Sequence, residues 1–302
     1  MILFGRPEIK GIAAWINSKP LTLAKLKGKV VLVDFWTYTC VNCIRTLPYI
    51  KAWHEKYAKL GLVIIGVHTP EFDFEKDLKN VKAAAKKFGL KYPIALDNDQ
   101  ETWNAFSNHY WPAKYLFDKN GNLVYQHFGE GRYAETEDVI RSMLNEAGKN
   151  VSKIKPVVEK PRPLALFITP ETYCGSERNS GLGSSGVCLP DGTCIHIDPG
   201  THERDVIYLS GEWLQTNEYL ETKSNKPAYI AIKYQGHEIN LVIHPPSKPA
   251  TAKLYVDGKP KGTLKIDEPK MYTLHKTAQA ETHEVKLLFE AKGVKCYAYT
   301  FG

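Results

Sequence analysis

Two cysteines, Cys40 and Cys43, stand three positions apart in "FWTYTCVNCIRTLPY" (35–49). A pair at that spacing supplies half of a metal site, staples a loop, or passes electrons. A zinc site needs two further ligands nearby. Before residue 150 there is no third cysteine, and His54, His68, His109 and His127 are scattered. A staple between residues so close closes too short a loop to remove much entropy from the unfolded chain. Electron transfer needs a thiol at the first turn of a helix, where orphan backbone N–H groups and the helix dipole favour the nucleophilic thiolate. That is the setting the sequence gives Cys40. Cys43, one turn further in and more buried, is then placed to resolve the mixed disulfide that Cys40 forms.

The flanking elements fit this placement. "GKVVLVDFW" (28–36) is β-branched and almost wholly apolar, a buried strand. "CIRTLPYIKAWHEKYAKLG" repeats apolar residues at helical spacing through Ile44, Leu47, Ile50, Trp53 and Tyr57 and stops at Gly61. Pro48 is expected to kink that helix. A second buried strand, "LVIIGVH", and an amphipathic helix, "DFEKDLKNVKAAAKKFG", come next. They are followed by the short strand "YPIAL", the short helix "ETWNAFSNH", a hairpin turning at Asn120-Gly121 and the closing helix "TEDVIRSMLNEAG". Strands alternating with helices imply a mixed sheet with helices on both faces. His68 and Glu71, at a strand end near the cysteines, are read as structural.

With those residues in place, "VDFWTYTCVNC" and the proline five positions after its second cysteine resemble the active-site segment of thioredoxin-like proteins. The resemblance implies that Asp34 is the buried acid assisting proton transfer to the resolving cysteine; as a bare residue it could equally be an acid satisfied by backbone. It implies that Trp36 packs beside the site. It also implies, from "WPAKYLFDKNG", that Trp111–Pro112 is a cis bond facing the cysteines, so that Trp36, Trp111 and Pro112 form the substrate cleft. "AAWINSKPLTLAKLKGKVVLVDFW" and the extra helix at 74–88 are similar to the TlpA/ResA branch. "GVHTPEFDFEK", "TPETYCGSERN", "LSGEW" and "YAYTFG" extend the resemblance to the soluble C-terminal region of the DipZ group of thiol:disulfide interchange proteins. Membership of that group would imply a protein disulfide substrate and no cofactor. The electron donor would be separate, either a CcdA-type membrane protein or a thioredoxin system. The CcdA-type membrane domain of that group has no counterpart in the sequence.

Helical periodicity disappears in the second half. "KNVSKIKPVVEKPRP" is lysine-rich and punctuated by proline, a linker over 150–163 between a thioredoxin-like domain (1–149) and a second domain (164–302). "AYIAIKYQ", "EINLVIHPP", "AKLYVDGKPKGTLKI", "EVKLLFEAK" and "VKCYAYTFG" are short alternating segments, which predict an all-β, jelly-roll-like sandwich. Its cysteines are disulfide candidates: Cys188 and Cys194 flank a Pro-Asp-Gly turn, leaving Cys174 and Cys296 as a long-range clasp. Four cysteines allow three pairings, and a zinc site from Cys174, Cys188, Cys194 and His196 is the rival reading. Trp213, Tyr219, Tyr234 and Tyr255 could stack on a glycan, as the likeness to carbohydrate-binding modules implies, or could equally be core. A binding protein whose first half is scaffold is therefore the competing function.

The 302 residues suffice for two domains, and the composition, 43% hydrophobic and 24% charged, is that of a globular protein. The apolar runs Val30–Val33 and Leu62–Val67 are strand-sized, too short to span a bilayer. The charge of +7 comes from lysines interleaved with acids, a solvated surface rather than a nucleic-acid patch. No h-region follows "MILFGRPEIK". The expectation is an extracytoplasmic protein whose export segment was removed, or else a cytoplasmic one.

Overall fold

A computed structural model describes residues 7–159 and 167–302, so the end of the expected linker (160–163) and the first residues of the second domain (164–166) lie outside the described residues. The chain divides into two compact units, residues 1–161 and 162–302.

The first unit is a six-stranded mixed sheet. Its strands are β1 (Ala14–Ile16), β2 (Val30–Trp36), β3 (Leu62–His68), β4 (Ile94–Leu96), β5 (Ala113–Phe117) and β6 (Leu123–Phe128), in the order β1-β4-β3-β2-β5-β6. β2, β3 and β4 are parallel, and the other three add antiparallel. β2 is buried along its whole length because both of its faces are covered. Val30, Leu32 and Trp36 pack under α1 (Val41–Tyr57), α2 (Leu78–Phe88) and α4 (Tyr133–Glu146). Val31, Val33 and Phe35 point the other way, to Ile9, to Trp103 of α3 (Glu101–Ala105) and to Phe106 beyond it. The alternation along one strand thus fixes which face carries the helix that starts at the cysteines.

α1 continues through Pro48, and its chain stops at Gly61, where φ is 105° and a left-handed residue ends the last turn. The expected helix after β3 is split: a 3₁₀ turn over Asp73–Lys76, then α2 capped by Asp77, whose carboxylate accepts the Lys79 N–H at 2.7 Å. The first ten residues of the segment read as linker are fixed to this unit. Val151 is buried, Arg141 of α4 donates to the carbonyls of Val151 and Ile154, and the Val157 N–H meets Glu137 at 2.7 Å.

The second unit is all-β, with a ten-stranded antiparallel sheet as its frame. Its strands are β7 (Thr172–Tyr173), β8 (Ser185–Cys188), β9 (Thr193–Ile197), β10 (Ile207–Gln215), β11 (Leu220–Thr222), β12 (Ala228–His244), β13 (Ala250–Val256), β14 (Lys259–Ile266), β15 (Lys270–Phe289) and β16 (Lys295–Phe301). The long β12 pairs with β10 along its first half and with β16 along its second. β10 and β16 are joined through β11, so the four strands close a ring around one core. "AYIAIKYQ" and "EINLVIH", read as separate strands, are one strand with an irregularity between Gly236 and Glu238. Among the described residues no helix is long and apolar enough to cross a membrane.

Candidate functional site

β2 ends at Trp36, and residues 37–39 carry the chain to Cys40, the N-cap of α1. Cys40 is extended (φ −73°, ψ 115°), and its Sγ accepts the backbone N–H of Cys43 at 3.2 Å, one of the orphan donors of the first turn. It is partly exposed, while Cys43 behind it is buried; both are free thiols. Burial pushes the Cys43 thiol well above its ordinary 9.0, and the hydrogen bond and charge of Cys40 push it further.

Asp34 lies on the α1-facing side of β2, in register with Gly66 on β3 and Lys114 on β5. A Cβ at Gly66 would come to 3.0 Å from both Trp36 Nε1 and Tyr92 Cε2, so a larger residue there would press on both rings. Asp34 is 1% exposed, and its Oδ1 has no hydrogen-bond partner among the described residues. Desolvation raises its pKa from 3.8 to about 7, and Lys114 pulls the other way. The Lys114 ammonium is buried too, donates to the Gly129 carbonyl at 3.3 Å, and is held below its ordinary range by burial while Asp34 raises it. The charge of Asp34 adds a little to the rise at Cys43.

Trp36 is wholly buried, edge-on to His68, and offers no face to a substrate; its place in the expected cleft is corrected to one beneath it, because the even positions of β2 point into the core under α1. The Trp111–Pro112 peptide is cis. Trp111 Nε1 donates to the Thr69 carbonyl at 3.1 Å, and the Thr69 N–H donates to the Trp36 carbonyl at 3.1 Å. Thr69 thus links the strand end that leads to Cys40 with the loop bearing Trp111 and Pro112. His68 is buried, and desolvation lowers its pKa to about 3, so it is neutral.

Two buried charged side chains near the site escaped the sequence reading. Lys114 is the lone cation in "PAKYLF", in a strand whose other residues are all apolar. Glu75 stands three residues after Phe72, the spacing of a helix-capping acid, in "PEFDFEK".

In the second unit Cys188 and Cys194 face each other across β8 and β9 and are joined, with S–S 1.97 Å. Those sulfurs are therefore not thiolate ligands, and the rival zinc set with Cys174 and His196 is not assembled. Cys174 and Cys296 are buried free thiols rather than the expected clasp. The Cys174 N–H donates to the Tyr297 carbonyl, and both thiols lie in one core, where the charge of Cys296 adds to the rise of the Cys174 pKa. Trp213 and Tyr234 are buried core residues, while Tyr219 and Tyr255 lie under the ammonium groups of Lys295 and Lys286. Among the described residues no group of three or more His, Cys, Asp or Glu side chains is arranged to hold a metal ion.

Two family models match the chain: Redoxin over residues 7–144, and Thioredoxin like C-terminal domain over residues 169–302. Protein DipZ of Mycobacterium tuberculosis is 36% identical over 98% of this chain, and the chain spans only 42% of that relative's length. The thiol-disulfide oxidoreductase YkuV of Bacillus subtilis is 33% identical over 41% of this chain and 82% of its own. For the thiol-disulfide oxidoreductase ResA of Bacillus thuringiensis the figures are 30%, 42% and 71%. A cysteine at the cap of α1, a second one buried behind it and these matches lead to one statement: the chain belongs to the thioredoxin-like thiol-disulfide oxidoreductases.

Proposed function

We propose that Cys40 and Cys43 are a dithiol/disulfide couple that reduces or exchanges disulfides in protein substrates. The observation that carries this reading is the asymmetry of the pair: Cys40 is accessible with its Sγ on an N–H of the first helical turn, and Cys43 is buried behind it. Cys40 thiolate attacks one sulfur of the substrate disulfide; that S–S bond breaks, and the other sulfur leaves as thiolate. Cys43 then gives its proton to the Asp34 carboxylate and attacks Cys40 Sγ. The mixed disulfide breaks, the second substrate thiolate leaves, and a Cys40–Cys43 disulfide remains. Two electrons have passed to the substrate, and a separate dithiol donor must return them. Asp34 suits the proton step because burial raises its pKa to about 7, near working pH. Trp111 and Pro112 would border the substrate.

The second unit would localise or select partners without thiol chemistry, since its free cysteines, Cys174 and Cys296, are buried. The Cys188–Cys194 disulfide favours an oxidising, extracytoplasmic setting. The test is reduction of a disulfide-containing protein by the full chain with dithiothreitol as donor. Cys40→Ser should abolish turnover, and retained turnover would overturn the reading. A redox titration of the couple then gives its direction: near thioredoxin's value of about −270 mV for a reductant, far above it for an oxidant.

A further inference from the structure

The loop that delivers Cys40 is tied to one segment, residues 68–75. Thr37 Oγ1 lies 3.3 Å from His68 Nε2. The Tyr38 ring stacks on His68 at 5.6 Å and meets Phe74 edge-on at 6.2 Å. Thr39, the residue before Cys40, donates its hydroxyl to Glu75 Oε1 at 2.5 Å. The same carboxylate closes the segment on itself, its Oε2 accepting the N–H groups of Glu71 at 2.7 Å and Phe72 at 3.2 Å. Glu75 is completely buried. A carboxylate taken out of water is costly unless its oxygens are filled, and here the donors that fill them come from two different loops. The proton transfers proposed for the cysteines do not use it.

We propose that Glu75 is a positioning residue for thiol exchange: its carboxylate clamps Thr39 and thereby keeps Cys40 Sγ over the first turn of α1, within reach of the Cys43 N–H. This rests on Cys40 being the attacking thiol. The charged form makes the stronger clamp, because the groups hydrogen-bonded to it act as donors: the Thr39 hydroxyl and the backbone N–H groups of Glu71 and Phe72. A proton on Oε1 would reverse the Thr39 hydrogen bond, the hydroxyl then accepting, and would remove the charge that strengthens all three bonds. Burial, seconded by the charge of Glu71, raises the Glu75 pKa to about 7 against the pull of those donors. Of the other titratable groups around it, His68 is neutral, and Asp73 and Lys76 on its own turn pair with each other at 3.0 Å. The clamp is therefore strongest above about pH 7 and weakens below it.

The experiment is the rate at which iodoacetamide alkylates Cys40 in the reduced full chain between pH 5.5 and 9, located by peptide mapping. Glu75→Ala and Thr39→Val should each slow alkylation at pH 8 by about five- to tenfold, the worth of a lost helix cap. Thr39→Val leaves both backbone hydrogen bonds of Glu75 in place, so it remains informative if Glu75→Ala does not fold. Glu75→Gln cannot titrate but can still accept from Glu71 and Phe72. Its NH2 would meet the Thr39 hydroxyl as the protonated carboxyl does, so it should alkylate at pH 8 about two- to fivefold more slowly than the parent and lose the additional decline of the parent below pH 7. Unchanged alkylation in Thr39→Val overturns the clamp, and a decline that persists in Glu75→Gln overturns its titration. Failure of the exchange reading would show elsewhere, as turnover surviving in Cys40→Ser.

Discussion

Replacing Asp34 by Asn should make the protein more stable and the exchange slower, and the two effects have one cause. The carboxyl is 1% exposed, lies opposite Gly66 and Lys114 in the ladder, and leaves Oδ1 without a partner among the described residues. Its pKa in the folded chain is about 7 against an ordinary 3.8. A folded-state pKa raised above the unfolded one means that between those values the folded chain binds more protons than the unfolded chain, so stability falls as pH rises through that window. At 1.36 kcal/mol per pH unit, the rise from 3.8 to about 7 corresponds to about 4 kcal/mol, absent below pH 4 and complete above pH 7. Asparagine keeps the shape and carries no charge. The attraction of Lys114 is already contained in that pKa, so the gain should be about 4 kcal/mol at pH 8 and close to zero at pH 3.5.

The kinetic half of the prediction comes from Cys43. Its thiol is held well above 9.0 by burial, so at neutral pH it needs a base at hand to attack. Losing a positioned base costs about 10²–10⁴-fold. Asp34→Asn should therefore retain the first attack by Cys40 but accumulate the mixed disulfide with substrate. The assays are denaturant titrations of the full chain at pH 3.5 and 8, and acid quenching with mass analysis of the covalent intermediate. A variant no more stable at pH 8 than at pH 3.5, relative to wild type, would refute the burial argument. A mixed disulfide that resolves at the wild-type rate would refute the base.

Three further outcomes can be measured. Lys114→Met removes the charge that lowers the Asp34 pKa, so the acid limb of mixed-disulfide resolution should move to higher pH; a limb that stays or moves down contradicts the pairing. Replacing Cys188 and Cys194 together by Ser opens a bridge between residues six apart and should cost the second unit at most about 2 kcal/mol in denaturant titration, with Cys40 alkylation unchanged. Glu137→Ala strands three donors, Trp53 Nε1, Tyr57 OH and the Val157 N–H. It should cost about 3 kcal/mol and speed proteolysis within residues 150–159.

The elements around the cysteines were legible because their signals are local. An apolar β-branched run ending at Trp36, a cap-type turn and helical spacing from Ile44 to Tyr57 all act over a few residues, and Asn120-Gly121 lies in the turn joining β5 and β6. What was missed depends on pairing across the chain. Lys114 looks unremarked in sequence until the ladder sets it opposite Asp34. Glu75 matters only because the Thr39 hydroxyl arrives from 36 positions away. The first three-quarters of β15, "KMYTLHKTAQAETHE", is too polar to read as a strand, yet β12 pairs with it on both sides of residues 277–280. "KNVSKIKPVV" has a linker's composition, and the acceptor that fixes its far end, Glu137, belongs to α4.

The contrast between the two units shows what separates a site from a satisfied core. The second unit has its own titratable clusters. His202 lies between Asp198 at 2.9 Å and Glu284 at 2.8 Å, and His283 between Asp257 at 2.8 Å and Glu281 at 3.4 Å. In the first both ring nitrogens are hydrogen-bonded to acids and in the second Nδ1 is, so these clusters spend most of their polarity on holding the fold. The first unit instead keeps a carboxylate oxygen of Asp34 without a donor among the described residues, on the sheet face under the helix that carries a thiol burial keeps protonated. Such an arrangement weakens the folded state and is of use only when a proton has to move. That Asp34, Cys43 and a half-exposed Cys40 occur together at the end of one strand is thus the physical reason for placing the chemistry in the first unit, independent of any likeness to other proteins.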